Sequence, residues 1–503
     1  MADPSQPPRK RAAKPRKNAE LSARIKELIQ GGTDYRRFVR ELRAGSPGLL
    51  LSFVIHLLLC IALLFWIIPG VRDNTVAGFI GSFINPNDKQ AKVEEEDKPL
   101  ELDVDVVPMP KVPKTRGDDP AVVKPPPAVR KPAEVAVSGA LASRSANAKA
   151  ALVADLGGSE ESEKAVKLGL DWLKRVQRKD GRWQINKTEG PPGYSEEGTI
   201  SFRADVGGTG LALLAFLGAG HTHQQGLYQK EVRRGLDWLK QMQQSDGNLY
   251  DGSRGDQSMF YSHGQATIAL CEAYALTRDP ALEQPARNAL QFIYASQHPE
   301  KGGWKYSPGA HGDLSVFGWQ LMALQSARMA GIEVPEEVLT RASNFLDTVQ
   351  SDAGARYRYE ELSDRSFTPA MTAEGLLCRQ YLGWPQDHPA MVDGLKFITQ
   401  PDLSPAWVAG KRNVYFWYYA AQALHNVQGE AWDRWNAALR DELVKNQELG
   451  GVQRGSWHPT RTQGERDEFA AAGGRLYVTC LCILTLEVYY RHLPLYGAHA
   501  PMN

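Results

Sequence analysis

The stretch GLDWLKRVQRKDGRW at residues 169–183 decides the fold, because its pattern recurs along the chain. An aromatic–aliphatic pair, Trp172-Leu173, is followed by Gln177 and by a Gly-x-Trp turn that ends at Trp183. Self-similarity at a period of about 50 residues predicts a repeat architecture. Further copies are Trp238-Leu239…Gln243…Gly247, Phe292-Ile293…Gln297…Gly302-Gly303-Trp304, Phe345-Leu346…Gln350…Gly354 and, more faintly, Gln447…Gly451.

A second, more uniformly apolar set of segments lies between these copies. Such segments predict helices buried on all sides, whereas the Gln-bearing segments are apolar on one face only. With a degenerate outer copy at Met391–Gln400, the pattern predicts an all-α fold, an α/α toroid of about six inner and outer helix pairs. The inner segments are Gly207–Gly220, Gly264–Leu276, Val316–Gly331, Met371–Leu382, Val414–Val427 and Leu476–Leu493.

The Trp172-Leu173…Gln177…Gly181…Trp183 string resembles the QW repeat of squalene-hopene cyclases, within the wider group of terpene cyclases and protein prenyltransferase β-subunits. The resemblance covers about residues 160–495 and implies the toroid fold. It implies no particular activity, because the Gln and Trp side chains belong to outer helices and turns. The final segment, Arg475–Tyr496, is similar to that of cyclase-repeat proteins common in planctomycete bacteria.

The resemblance also implies which catalytic motifs to seek. Class II cyclases use Asp-x-Asp-Asp as a general acid, prenyltransferases hold zinc with Asp-x-Cys and a distant His, and thioester toroids use Cys-Gly-Glu-Gln. None of these strings occurs in the sequence, so we expect no metal and no cofactor. Asp313 and Glu374 remain the candidate catalytic carboxylates, with Glu196-Glu197 as a further acidic pair of the kind that glycoside hydrolysis uses.

In this fold the N-terminal ends of the inner helices border a central cavity. Asp205, Tyr261, Asp313 and Thr368 fall at corresponding helix starts, where Asp and Thr are also ordinary N-caps. Aromatic side chains with a few polar groups are the usual composition of a ligand pocket, although each residue alone could equally be a packed core residue. The side chains expected to line the cavity are Tyr261, His263, Asp313, Trp319, Glu374, Trp417, Tyr418 and Tyr477.

The N-terminal region predicts a membrane anchor. Residues 1–47 hold twelve Lys and Arg against five Asp and Glu, which favours a basic cytoplasmic tail over a nucleic-acid-binding patch. Residues 48–68 are apolar and long enough to span a bilayer once. We therefore expect a single-pass protein of the inner (cytoplasmic) membrane, with its N-terminus in the cytoplasm and its toroid in the periplasm.

Two polar residues fall inside the predicted anchor. Ser52 and His56 share one helix face, and this Ser-x-x-x-His pair resembles TonB-type anchors, which implies a proton-channel membrane partner. The alternative is a neutral His56 bonded to a backbone carbonyl or a lipid headgroup. Residues 69–159 are rich in Pro and charge and predict an extended exported linker, and residues 496–503 predict a short tail.

The missing catalytic motifs favour a membrane-anchored binding or scaffolding module. The alternative is an enzyme that acts on an isoprenoid, a lipid or a glycan in the toroid cavity, with Asp313 and Glu374 as its carboxylates. Aromatic walls suited to stabilising a cation would fit an isoprenoid substrate. The two hypotheses differ in whether these carboxylates point into the cavity or cap helices.

Overall fold

The computed structural model describes residues 141, 143–185, 187–189, 195–197, 204–250, 252, 256–361, 366–459 and 470–496. The predicted cytoplasmic tail (1–47) and membrane anchor (48–68), with Ser52 and His56, lie outside these ranges. In the part that is described, no helix combines the length and the apolar character that a membrane crossing requires.

Six pairs of helices form the described domain, which confirms the predicted α/α toroid. A helix that precedes the ring, α1 (Ala146–Asp155), and a last short helix, α14 (Val488–Arg491), complete the described helices of α type. The outer helices are α2 (Glu160–Val176), α4 (Gln229–Met242), α6 (Pro280–Ser296), α8 (Glu336–Val349), α10 (Pro389–Ile398) and α12 (Glu430–Lys445). The inner helices are α3 (Asp205–Gly218), α5 (Ser258–Thr277), α7 (Leu314–Met329), α9 (Pro369–Tyr381), α11 (Val414–Val427) and α13 (Ala470–Leu486).

Strand content in the described ranges is limited to two short antiparallel pairs. Strands β1 (Lys187–Glu189) and β2 (Ser195–Glu197) pair in the connection between α2 and α3, and β3 (Gln350–Ser351) pairs with β4 (Arg356–Tyr357) after α8. Short 3-10 turns occupy Asp352–Gly354 and Pro401–Leu403.

The inner helices close into a ring. Each packs against the next inner helix along the chain, and α13 packs against α3. Every residue of α3 is buried, as expected of an inner helix. On α4, by contrast, Val232, Leu236 and Leu239 are buried at helical spacing on one face, so this outer helix covers the ring with a single apolar stripe.

The repeated glutamines join the outer layer. The Gln177 amide donates to the Gly181 carbonyl at 2.7 Å and to the Glu231 carbonyl of α4 at 2.9 Å. Gln243 and Gln297 make the same two contacts one repeat further on. Two bonds from one side chain thus fix a turn and the start of the following outer helix.

The last of these glutamines closes the ring. Gln447 donates to the Gly455 carbonyl at 2.9 Å and to the Ala165 carbonyl of α2 at 2.8 Å. The sequence pattern paired Gln447 with Gly451, which was wrong. The longer loop places Gly455 in the turn, followed two residues later by Trp457, whose indole donates to Leu443.

The turn glycines are required by geometry as well as by conformation. Gly302 has a φ of +73°, and a Cβ built on it would lie 1.8 Å from the Arg341 carbonyl of α8. Such a position accepts only glycine, because both the left-handed backbone and the close approach exclude a side chain.

Helix α1 belongs to the toroid, although its residues fall within the range 69–159 that the sequence assigned to an extended linker. It packs against α14, and the Ser143 hydroxyl just before it donates to the Tyr490 carbonyl at 2.8 Å. The Arg144 guanidinium donates to the Arg491 carbonyl at 2.9 Å and to the fully buried Glu272 at 2.7 Å. The folded domain therefore begins before residue 160.

Candidate functional site

A cavity of about 740 Å³ lies at the N-terminal ends of the inner helices. All six inner helices, or the residues that directly precede them, contribute to its wall. Its volume falls within the range of small-molecule sites. The aromatic side chains on its wall are Tyr261, Tyr306, Trp319, Tyr359, Tyr415 and Tyr477.

The structure brings three of the predicted residues, Tyr261, Trp319 and Tyr477, to this wall. The sequence analysis missed Tyr415 on α11, and it missed Tyr306 and Tyr359, which lie in the connections before α7 and α9. A signal was present in the repeat. Tyr306 lies two residues after Trp304, Tyr359 two residues after Tyr357, and Ile185, which also lines the cavity, two residues after Trp183. The position two residues after the turn aromatic thus faces the cavity in three repeats.

Asp313 lies behind the wall and caps α7. Its carboxylate accepts the Val316 amide at 2.9 Å, the Ser315 hydroxyl at 2.8 Å and the Tyr359 hydroxyl at 2.9 Å. Tyr261 lies 2.6 Å from the Ser315 oxygen and Tyr306 bonds to Tyr359. Because Ser315 and Tyr359 give their protons to Asp313, Tyr261 and Tyr306 donate in turn to them.

This network changes the acidity of its members. Burial raises the pKa of the Asp313 carboxyl above its usual value, although the hydrogen bonds from Val316, Ser315 and Tyr359 act to lower it. Burial and the neighbouring Asp313 raise the pKa of Tyr359, so this phenol stays protonated at physiological pH. A fully buried carboxyl with three donors is a rigid anchor for the hydroxyls on the wall.

Glu374 is fully buried and is not part of the cavity wall. The Tyr415 hydroxyl donates to its Oε2 at 2.8 Å, and its Oε1 lies against Gly318 so closely that a Cβ there would be 2.0 Å away. Tyr415 lines the cavity with its ring and turns its proton toward Glu374. The two candidate carboxylates are therefore both committed to contacts within the protein.

His263 faces the outer layer, which corrects the expectation that it lines the cavity. Its Nδ1 accepts the Leu249 amide at 3.2 Å, and its Nε2 lies 3.0 Å from the Ala289 carbonyl of α6. Thr209 and Thr479 accept the corresponding turn amides in other repeats. His263 thus holds a turn, as these threonines do, and burial lowers its pKa to about 4.

Trp417 and Tyr418 also lie away from the wall, within the packed ring. Trp417 contacts Trp407, with ring centroids 6.0 Å apart. The Tyr418 ring stacks on Trp319 with ring centroids 5.7 Å apart, and its hydroxyl accepts a hydrogen bond from Arg491 at 3.3 Å. These residues support the wall from behind.

The remaining candidates have local roles. The Thr368 hydroxyl accepts the Met371 amide at 3.1 Å and caps α9, and Asp205 forms an ion pair with Arg182 at 3.1 Å. Glu196-Glu197 lie on β2, where only the backbone is described. Within the described ranges, His, Cys, Asp and Glu form no group of three or more that could hold a metal ion.

Comparison with known proteins gives matches over part of the chain. Residues 151–263 match the family model of the squalene-hopene cyclase C-terminal domain. The squalene-hopene cyclase of Bradyrhizobium diazoefficiens is 23% identical over 268 residues, which are 48% of this chain and 40% of that protein. A probable squalene-hopene cyclase of Sinorhizobium fredii is 25% identical over 272 residues, which are 48% of this chain and 41% of that protein. The chain thus spans about two fifths of the length of these relatives.

Solved structures of similar fold include enzymes of different kinds. The match to cellobiose 2-epimerase from Bacillus thermoamylovorans covers 65% of this chain and 98% of the epimerase chain, with a TM-score of 0.49 and 13% sequence identity. The type II terpene cyclase MstE from Scytonema, without substrate, covers 65% and 98%, with a TM-score of 0.42 and 14% identity. The resemblance read from the repeats is confirmed by the sequence matches: the toroid of this chain is similar to the C-terminal domain of squalene-hopene cyclases.

Proposed function

We propose that the toroid is a ligand-binding module whose ligand occupies the cavity at the N-terminal ends of the inner helices. The observation that carries this proposal is the wall itself, which combines six aromatic rings with hydroxyl and amide side chains around a volume of about 740 Å³. Aromatic rings supply contact area, and the polar groups fix orientation.

The placement of the carboxylates favours binding over catalysis. Asp313 caps a helix and Glu374 is bonded to Tyr415, and neither belongs to the wall. Glu360 is the carboxylate on the described wall, and Lys305 is its ion-pair partner. A general acid or base must reach a reacting atom directly or through one water, which these contacts oppose.

The experiment is a search for a co-purified molecule. The full-length chain is purified from its native membranes, and bound small molecules are identified by native mass spectrometry and by extraction. Ala472→Trp fills the cavity from a partly exposed wall position, and Val392→Trp, on the exposed face of α10, is the matched control. We expect the wild type and the Val392→Trp variant to carry a bound small molecule. The Ala472→Trp variant should have lost it. Retention in Ala472→Trp would refute binding in this cavity.

A second candidate function is an enzyme that acts on an isoprenoid, a lipid or a glycan. One observation favours it. Asp313 is a buried acid with a raised pKa, and hydrogen bonds connect it to the cavity wall. One connection runs through Ser315 to Tyr261, and the other runs through Tyr359 to Tyr306. The same extraction separates the two functions. A second, chemically altered molecule that accompanies the ligand in the wild type and disappears in Asp313→Asn would establish the enzyme.

We also propose that residues 48–68 anchor the toroid in the inner membrane, with the toroid on the periplasmic side. The apolar run and the basic residues before it support this topology. An alkaline phosphatase fusion after Asn503 is expected to be active, and a green fluorescent protein fusion dark. Replacement of His56 by Leu should abolish co-purification of a proton-channel partner while membrane insertion persists. An unchanged set of partners would leave residues 48–68 as a plain anchor.

A further inference from the structure

The polar groups of the cavity wall are concentrated in one half. Helices α5, α7 and α9, which are consecutive in the ring, contribute hydroxyl and amide side chains at or near their N-terminal ends. These are Gln257, Ser258, Ser262, Gln265, Ser315 and Thr368. Tyr306 and Tyr359 extend the same half from the connections before α7 and α9.

The opposite half presents mainly aliphatic and aromatic carbon. It consists of Ile185 in the connection before α3, of Ala204 and Gly207 at the start of α3, and of Ala472, Gly473 and the Tyr477 ring on α13. These two helices are neighbours because α13 closes the ring against α3. The Tyr415 ring continues this surface on α11, and its hydroxyl is bonded to Glu374 behind the wall.

The polar half carries little net charge. Glu360 is the charged side chain on the described wall, and its carboxylate is paired with the Lys305 ammonium. Because these two charges already neutralise each other, an anionic or cationic head would lose its hydration here and would gain a counter-ion only by breaking that pair, which is costly. An uncharged head loses much less.

The hydrogen-bond directions specify the head further. Tyr306 donates its proton to Tyr359, and Tyr359 donates to Asp313. Toward a ligand these hydroxyls therefore act as acceptors, and the matching group is a donor such as a hydroxyl. Because the buried Asp313 anchors this series of hydrogen bonds, the orientation of the two hydroxyls does not depend on the ligand.

We propose that the cavity binds an amphipathic molecule whose uncharged, hydroxyl-bearing head lies against α5, α7 and α9 and whose hydrocarbon part lies against α3 and α13. This inference rests on the proposed binding function and names its ligand class. A purely polar ligand would leave hydroxyls unpaired against Ile185 and Ala472. A pure hydrocarbon would leave Ser262 and Tyr306 without their hydration, and unpaired buried polar groups are expensive.

The test uses three small probes. Hexyl β-glucoside has both parts, methyl β-glucoside has the head alone, and hexyl sulfate has the same tail with a charged head. Binding to the full-length chain, extracted without detergent in polymer-bounded lipid discs, is measured by saturation-transfer difference NMR, with empty discs as the control. We expect hexyl β-glucoside to bind at least about tenfold more tightly than either other probe, since each lacks one of the two interactions.

Two matched double variants assign the halves. Tyr306→Phe with Ser262→Ala removes polar groups from one half, and Ile185→Thr with Ala472→Ser adds them to the other, with little change of shape. We expect the first to weaken both glucosides by about tenfold, the effect of losing one to two hydrogen bonds. The second should weaken hexyl β-glucoside alone.

Three outcomes would overturn the assignment while leaving the binding function intact. They are equal affinity for the two glucosides, tighter binding of hexyl sulfate, and no effect of either double variant on a probe that binds. Absence of binding by all three probes, with a co-purified molecule that Ala472→Trp displaces, would also refute the ligand class alone. If that molecule is absent too, the proposed function fails.

Discussion

Replacement of Gln447 by Leu tests whether one side chain closes the ring. Gln447 is 6% exposed, and its amide donates to the carbonyls of Gly455 and Ala165, on two segments far apart in sequence. Leu fills a similar volume but leaves both buried carbonyls without this donor. Each loss costs about 1–3 kcal/mol, less where water reaches the carbonyl, so we expect a loss of about 2–4 kcal/mol in the free energy of unfolding.

The assay is urea unfolding of the full-length chain followed by far-ultraviolet circular dichroism, with hydrogen exchange to locate the change. Gln243→Leu removes the equivalent bonds within the sequential part of the ring and should cost a similar amount. Exchange should rise around Ala165 in the Gln447 variant and around Pro285 in the Gln243 variant. An exposed control, Gln225→Leu, should be neutral.

The reasoning fails if Gln447→Leu lowers the free energy of unfolding by less than about 0.5 kcal/mol, the level of ordinary surface substitutions. It also fails if exchange rises equally throughout the domain while the region around Ala165 shows no excess. Either result would mean that the apolar packing of α13 against α3 and α2 closes the ring without the hydrogen bonds.

Three further predictions concern buried charge and the turns. The fully buried Glu487, whose carboxyl oxygens have no hydrogen-bond partner among the described residues, has a pKa raised by burial well above 4.5. The stability that protonation of Glu487 contributes is fully present below pH 4.5, and it is lost as the pH rises through the pKa of Glu487 in the folded protein. Because Gln resembles the protonated carboxyl, Glu487→Gln should raise the melting temperature at pH 7 and leave it unchanged near pH 4, as measured by thermal unfolding at the two pH values. Arg144→Ala should destabilise the domain by about 3 kcal/mol in urea unfolding, because it breaks a buried ion pair with Glu272, although Arg491 still pairs with that carboxylate; a loss below about 1 kcal/mol would contradict a structural role. Gly302→Ala should prevent folding or cost several times more than Gly309→Ala, since both have positive φ but nothing lies within 4 Å of a Cβ at Gly309; equal melting temperatures would refute the steric argument.

The repeat is the feature of the fold that the sequence predicts most completely. Gln177, Gln243 and Gln297 recur at fixed distance from a turn glycine, and all three make the same pair of hydrogen bonds. A side chain that bonds within a few residues of itself leaves a local pattern in the sequence. The equivalent glycine after Gln447 was misplaced because the intervening loop is longer there.

The cavity was predicted less completely. Tyr261 and Trp319 reach the wall, whereas His263, only two residues from Tyr261, faces the outer layer. An inner helix is apolar on all sides. Its hydrophobic periodicity therefore does not show which face points to the cavity and which points to the outer helices. Tyr306 and Tyr359 were missed because connections carry no helical period.

The sequence by itself determined the number of helix pairs, their inner and outer roles and the glutamine-bearing turns, because these depend on local spacing and on the one-sided polarity of the outer helices. The tertiary structure alone decided which side chains meet. It placed Asp313 at the end of hydrogen-bonded chains from Tyr261 and Tyr306, brought Ile185 and Ala472 together across the ring closure, and so divided the wall into polar and apolar halves. Residues from distant repeats become neighbours only when α13 packs against α3, and nothing in local periodicity encodes that contact.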